Sequence, residues 1–312
     1  MGEKNDADNK NALFQESSVI DVEFEVGDQK KSKISNSSEQ EDSNKNVFNF
    51  SNKVVQSNAL ARASSEMGLV PLKLFKAAVS CINTGDGAEA ISDTVYIHKS
   101  DILLLSGSGN QPSHNYTYLR DQLMSLKQQS ICLHDEKTGR YSILSPIRQI
   151  FWDDSSMVGI QFEELLMPQL VGLSKRFTQY HISNLVGVKS KYTINLYESL
   201  LSRTREFGEK QITILIEDLR GEMGTTVTRQ GSRKKKVLYE RIGEFDRRVI
   251  RPAVEEINKL PNFEFFITDV KKNKSKYKAN QWESYTFTLR RRTSCTDTLD
   301  EIRFPERLKY PI

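Results

Sequence analysis

Cysteine, histidine and long apolar runs are all scarce in this chain, and each shortage removes a class of protein. Three cysteines in 312 residues (Cys81, Cys132 and Cys295) stand too far apart for a metal-binding pair and leave one thiol over. A disulfide framework and a zinc ribbon are therefore excluded, and the three read as buried or idle thiols of a reducing cytoplasm. The histidines (His98, His114, His134 and His181) show neither His-x-His nor i, i+4 pairing, which argues against metal-dependent strand cleavage. His181-Ile182-Ser183-Asn184 also lacks the His-x-x-Arg run of a tyrosine recombinase. No segment approaches the roughly 20 apolar residues of a membrane span. The opening residues lack the basic-then-apolar pattern of a secretory signal. The glycine-rich run Ser106-Gly107-Ser108-Gly109-Asn110 has no Gly-Lys-Ser/Thr ending, so it reads as a turn rather than a phosphate loop. Acid pairs such as Asp153-Asp154, Glu163-Glu164 and Glu255-Glu256 are adjacent, and adjacent residues diverge on regular structure. The expectation is a protein with no catalytic residues, no metal and no cofactor.

What is present is positive charge, and it is concentrated. Residues 171–292 hold 26 Lys and Arg against 14 Asp and Glu, an excess of 12, although the whole chain is only +4. Every other part is acidic: 7 bases against 11 acids in 1–57, 9 against 12 in 58–170, and 3 against 4 in 293–312. Like charges gathered on one domain repel each other. A polyanionic partner whose phosphates release counterions would relieve that repulsion; a solvated basic face is the alternative.

The first 57 residues are rich in Asn, Ser, Asp, Glu and Lys with no sustained apolar period, too little to offset chain entropy, and read as a disordered acidic tail. Within them Ile20–Val26 alternates apolar and acidic residues, either a strand offered to a partner or a tail with strand propensity. Two segments of similar element order follow. In the first, Leu69, Leu72, Phe75, Val79 and Ile82 mark a helix, Thr94–Ile97 a strand, and Ser100–Leu105 a short helix. Tyr116, Leu119, Leu123 and Leu126 mark a second helix, and Ile131–Leu133 with Tyr141–Leu144 a hairpin. Met157–Phe162 and a helix through Leu170 close the unit. That order is a winged helix.

The second segment repeats it. Ser190 caps a helix carrying Tyr192, Leu196, Tyr197, Leu200 and Leu201, followed by a strand at Gln211–Leu215 and a short helix at Ile216, Leu219 and Met223. Arg229–Lys236 reads as a basic loop. The next helix carries Leu238, Ile242, Phe245, Val249, Ala253, Ile257 and Leu260, with Pro252 expected to kink it. Strands at Phe263–Ile267 and Tyr285–Leu289 flank a lysine-rich tip. The expected fold class is α+β: a tail over 1–57, winged helices over 58–173 and 174–292, and a C-terminal tail over 293–312.

With the apolar stripe of Leu238–Leu260 turned inward, Glu240, Glu244, Arg247 and Arg251 fall on the opposite face, with Arg241 and Arg248 on one flank. A helix of this kind enters the DNA major groove, where Arg meets guanine and Glu meets cytosine, each contact worth roughly 1–3 kcal/mol of discrimination. The alternative is Glu–Arg pairing on a solvated face, worth about 0.2–0.5 kcal/mol per pair. Around the helix stand Lys189 and Lys191, the basic loop Arg233, Lys234, Lys235 and Lys236, the hairpin lysines Lys271, Lys272, Lys274 and Lys276, and Arg290-Arg291-Arg292. They are positioned as phosphate contacts, which orient a protein without reading sequence. In the first segment Ser113, His114, Asn115, Thr117 and Arg120 open the equivalent helix and would make weaker contacts.

Phe177-Thr178-Gln179-Tyr180, Lys189–Glu198, Tyr239–Ile250 and Glu256-Ile257-Asn258 together resemble the initiator proteins of iteron-containing plasmids, over about residues 65–292. The resemblance implies tandem winged helices that bind repeated duplex sites at an origin without intrinsic enzymatic activity. It implies origin melting and recruitment of the host initiator, helicase and chaperones. It also implies autorepression by a homodimer in equilibrium with monomer, with the first winged helix as dimer interface. The family's base-reading positions fall on Arg241, Glu244, Arg247 and Arg248. Other readings are a transcription regulator of the same fold, a nicking or strand-transfer enzyme, and an RNA-binding module. Histidine spacing opposes the enzyme, and the absence of an exposed aromatic platform opposes RNA binding.

Overall fold

A computed structural model of the chain describes residues 46–82, 92–107, 115–135, 139–173, 176–204, 210–228, 235–277 and 281–292. The elements of the first half are β1 (Lys53–Ser57), α1 (Asn58–Ala61), β2 (Ser64–Ser65), α2 (Leu69–Ser80), β3 (Thr94–His98), α3 (Lys99–Ser106), α4 (Asn115–Lys127), β4 (Ile131–Asp135), β5 (Arg140–Leu144), β6 (Ile147–Trp152) and β7 (Met157–Phe162). A 3-10 turn at Glu164–Gln169 stands where a helix was expected, and β8 (Phe177–His181), past residue 173, opens the second half. The second half contains α5 (Lys191–Arg203), β9 (Lys210–Leu215), α6 (Ile216–Glu222), β10 (Thr226–Thr228) and β11 (Lys235–Val237). It closes with α7 (running through Ile242–Phe245, Asp246–Ile250 and Arg251–Lys259), β12 (Phe265–Lys274) and β13 (Trp282–Arg291).

Both halves build the same unit. A helix, a strand, two further helices and a hairpin fold so that the hairpin pairs back onto the first strand, giving the sheet orders β3-β7-β6 and β12-β13-β9. The apolar periods account for the helices: α2 buries Leu72, Phe75 and Val79, α4 buries Leu119, Leu123 and Leu126, and α5 buries Leu196, Tyr197 and Leu200. Ser190 does cap α5, its hydroxyl accepting from the Tyr192 N–H at 3.2 Å.

Three sequence expectations need correction. The hairpin expected at Ile131–Leu144 forms, as β4–β5, but the one that pairs onto β3 and closes the first unit is β6–β7. Inward-facing Ile147, Val158, Ile160 and Phe162 are fully buried, whereas β5 exposes Tyr141 and Ile143. The β4–β5 hairpin instead pairs with the short strand β2, an arrangement no local pattern announces. The acidic tail does not run to residue 57: β1 pairs antiparallel with β8, Val54 opposite Tyr180, and Val54 and Gln56 are buried. That pairing also crosses the boundary set between 173 and 174, so the halves share a layer. The loop at 229–236 is partly strand, since β11 pairs with β10. Residues 1–45, with the alternating run 20–26, and residues 293–312 lie outside the described residues.

The shared layer is polar at its centre. Lys76 of α2 and Glu198 of α5 form an ion pair at 2.8 Å with both side chains 3% exposed. Gln56 of β1 donates to Glu198 at 2.9 Å and accepts from Lys76 at 2.9 Å. The Tyr180 hydroxyl of β8 donates to the same carboxylate at 2.5 Å. Near by, Gly224 takes φ +61, and a Cβ there would lie 2.1 Å from the Ser65 carbonyl oxygen. Only glycine lets the end of α6 approach β2 so closely.

Lys73 of α2 is also buried, its ammonium donating to the Leu105 carbonyl at 3.3 Å. Burial, opposed by Glu256, lowers its pKa from 10.5 to about 8. Above about pH 8 the folded protein sheds this proton while the unfolded chain keeps it to about 10.5. The unfolded state then binds more protons, and this group stabilises the fold increasingly as pH rises across that window. Lys73→Met should be more stable than wild type at neutral pH and lose this gain. Urea unfolding of both proteins at about pH 7 and about pH 9.5 tests it; an identical pH response in the two would reject Lys73 as the source.

Candidate nucleic-acid interface

The helix expected to read bases is present but starts later than its apolar period suggests. Arg220 of α6 donates to the carbonyls of Leu238 (3.2 Å), Tyr239 (3.0 Å) and Glu240 (2.9 Å). Those carbonyls face a guanidinium instead of helical N–H groups, so Leu238–Glu240 form a turn. Tyr239 sits there at φ +55. The helix opens at Ile242, with Arg241 as N-cap. Glu240 and Arg241 therefore stand just ahead of α7 rather than on its wheel.

Along α7, Phe245, Val249, Ala253 and Ile257 are buried, three consecutive steps of four. A helix of 3.6 residues per turn would rotate such a stripe out of register. One π turn at Asp246–Ile250, closed by Arg251 N–H donating to the Asp246 carbonyl, inserts the extra residue that restores the phase. Pro252, which has no N–H to give, follows this turn directly and the helix continues through it to Lys259.

Arg241, Glu244, Arg247 and Arg248 are all exposed. Among the described residues no carboxylate pairs with Arg241, Arg247 or Arg248. The Glu–Arg pairing of a merely solvated face is thus missing where it was the alternative. Arg248 instead lies over the Tyr239 ring, 5.9 Å from its centroid. Arg251 is turned away from this group: its Nε pairs with Asp246 at 2.8 Å.

Asp246, on the same helix, is buried. It gathers Arg251, Lys272 at 3.4 Å and the Tyr285 hydroxyl at 3.3 Å, fastening α7 to the β12–β13 hairpin. Burial, with Asp246 beside it, raises the Tyr285 pKa well above the ordinary phenol value. Two further residues anchor the helix. Glu256 accepts from the Lys189 N–H at 2.7 Å and the Thr193 hydroxyl at 2.5 Å. Asn258 exchanges two hydrogen bonds with the backbone of Ile267, at 2.9 and 2.7 Å. Arg292 donates to the Asn258 carbonyl at 2.9 Å, so one of the three terminal arginines is committed to the end of α7.

The expected phosphate contacts divide. Lys189, Lys274 and Lys276 are exposed, as is Lys271, which pairs with Asp269 at 3.2 Å. Lys272 is 29% exposed and held by Asp246, and it shares the Trp282 ring with Lys274, each ammonium 5.6 Å from the centroid. Lys191 is half-buried over the Tyr192 ring; burial lowers its pKa, with Glu66 opposing. Lys235 and Lys236 lie on β11, while Arg233 and Lys234 fall outside the described residues. In the first unit Asn115 starts α4 and Thr117 and Arg120 are exposed on it; Ser113 and His114 fall outside the described residues. Glu256 and Asn258 were singled out by the resemblance but not as anchors of the helix, and Arg220 was missed, having no local signal. Asp246 had one, since a position beside Phe245 and four before Ile250 belongs to the apolar side.

Residues 53–202 match the family described as Initiator Replication protein, WH1, and residues 215–289 match Initiator Rep protein, WH2. This chain belongs to the initiator replication protein family. The initiator's fold is that of two tandem winged helices. It superposes on the crystal structure of Pi initiator protein in complex with iteron DNA with a TM-score of 0.62 at 18% identity, over 79% of this chain and 100% of that one. Domains 2 and 3 of RctB match at a TM-score of 0.37 in two structures, at 11% and 13% identity, over 64% and 71% of this chain and 73% and 80% of theirs. Among the described residues no helix of the initiator is long and apolar enough to cross a membrane.

Proposed function

We propose that this initiator binds repeated duplex sites, iterons, at a plasmid origin, with α7 in the major groove and the β12–β13 lysines on the flanking phosphates. One observation carries the reading. An anchored helix, buried along one side, presents Arg241, Glu244, Arg247 and Arg248 to solvent, and among the described residues no carboxylate holds these arginines. Guanidinium groups so placed match guanine edges, and Glu244 matches the cytosine amino group. The like fold of a protein crystallised on iteron DNA supports it. The finer steps are origin opening, recruitment of the host initiator, helicase and chaperones, and autorepression by a dimer joined through the first winged helix. They rest on family membership.

The test is nuclease footprinting and competition binding with DNA flanking the coding region. Direct repeats spaced by about two helical turns should be protected, and affinity should fall steeply with salt as counterions are released. Equal affinity for the repeats and for a shuffled duplex would refute sequence-specific binding.

A further inference from the structure

We propose that Arg220 and Tyr239 form a positioning clamp that sets the start of the base-reading helix and aims Arg248 at its base pair, making both determinants of sequence discrimination. The proposal rests on the DNA-binding reading of α7 and adds two residues to it, neither of which faces the solvent side of that helix.

Tyr239 is held in the left-handed region at φ +55, where a Cβ crowds the following carbonyl oxygen. Such strain persists only where the surroundings over-determine it. Here they do. Arg220 spans the carbonyls of 238, 239 and 240 with two nitrogens of one guanidinium. The same group stacks on Phe245, 4.5 Å from the ring centroid, and Phe245 is the first fully buried residue of α7. One side chain thus sets both the turn before the helix and the helix's rotation. The Leu238 N–H is occupied as well, donating to Thr225 at 2.7 Å.

The reversed backbone at Tyr239 brings its ring under Arg248. A cation within about 6 Å of an aromatic face is held there by the ring's quadrupole. Tyr192 neighbours Tyr239, and its pKa is raised to about 12 by burial first and by Tyr239 second. Arg248 therefore meets DNA pre-oriented, so less of its rotamer freedom remains to be lost on binding. A lysine at 220 could not span three carbonyls, since an ammonium is a point donor without a planar fork.

The experiment measures the ratio of affinities for an iteron duplex and a shuffled duplex in wild type, Arg220→Lys, Tyr239→Gly, Arg248→Ala and the Tyr239→Gly/Arg248→Ala pair. Melting temperature and the salt slope on shuffled duplex are recorded for each. Arg220→Lys and Tyr239→Gly should each lose about tenfold in the ratio, within the span of a good base contact, with shuffled-duplex binding and salt slope unchanged. Glycine adopts the turn without strain, so Tyr239→Gly separates the ring's role from folding. The double variant should be no worse than Arg248→Ala, because ring and guanidinium act as one unit. Undiminished discrimination in folded Tyr239→Gly and Arg220→Lys would overturn the clamp alone. A wild type indifferent to the repeat would overturn the DNA reading and the clamp with it.

Discussion

Glu198→Ala should lower the unfolding free energy by about 3–5 kcal/mol, the largest effect expected of any single substitution in this protein. The carboxylate is the acceptor for Lys76, Gln56 and Tyr180 at once. Its removal strands a buried ammonium and takes the partner from two further buried polar groups. Desolvation is repaid in the wild type because every member of the network is satisfied. Lys76→Met/Glu198→Leu should recover part of the loss, since an apolar pair leaves no uncompensated charge, although Gln56 and Tyr180 stay short of a partner. The four residues come from α2, β1, β8 and α5 and join the two halves, so unfolding should become less cooperative as well as easier. Urea denaturation followed by tryptophan fluorescence and by circular dichroism reads both. A Glu198→Ala midpoint within experimental error of wild type would reject the network as the joint between the halves.

Arg247→Ala should reduce discrimination between the iteron and a variant altered at one base pair by about 1–3 kcal/mol, equivalent to roughly 5-fold to 150-fold. Arg247 is exposed on the π turn of α7 and has no carboxylate partner among the described residues, so it is available to a base. Lys274→Ala should do something different. Lys274 is exposed on the hairpin, and its loss should weaken iteron and shuffled duplex alike while lowering the salt slope by about one. Lys272 is the poorer probe of phosphate binding, because its removal also takes a partner from Asp246 and so disturbs the seating of α7. Competition titrations at several salt concentrations distinguish the two roles. Indistinguishable behaviour of Arg247→Ala and Lys274→Ala on every duplex would remove the assignment of base reading to α7.

Much of this protein can be read from its residues in order. The apolar periods of α2, α4, α5 and α7, the Ser190 cap and the repeated helix–strand–helix–helix–hairpin order reflect local spacing, and local spacing is what a helix or strand responds to. The concentration of cations over residues 171–292 is likewise plain in the chain, and with it the prospect of a polyanionic partner. Even the π turn has a trace, in three consecutive apolar steps of four through Phe245, Val249, Ala253 and Ile257.

Tertiary structure alone decided the rest. Whether β4–β5 or β6–β7 closes the first winged helix depends on which strand pairs with β3, and both hairpins carry enough β-branched and aromatic residues to qualify. The start of α7 depends on Arg220, some twenty positions earlier, taking three carbonyls that a helix would otherwise use. Which lysines remain free for DNA depends on whether a carboxylate folds against them, as Asp246 does against Lys272. Lys76 finds Glu198 more than a hundred residues away. Periodicity tells a side chain which way to face; only the closed fold selects what it meets there.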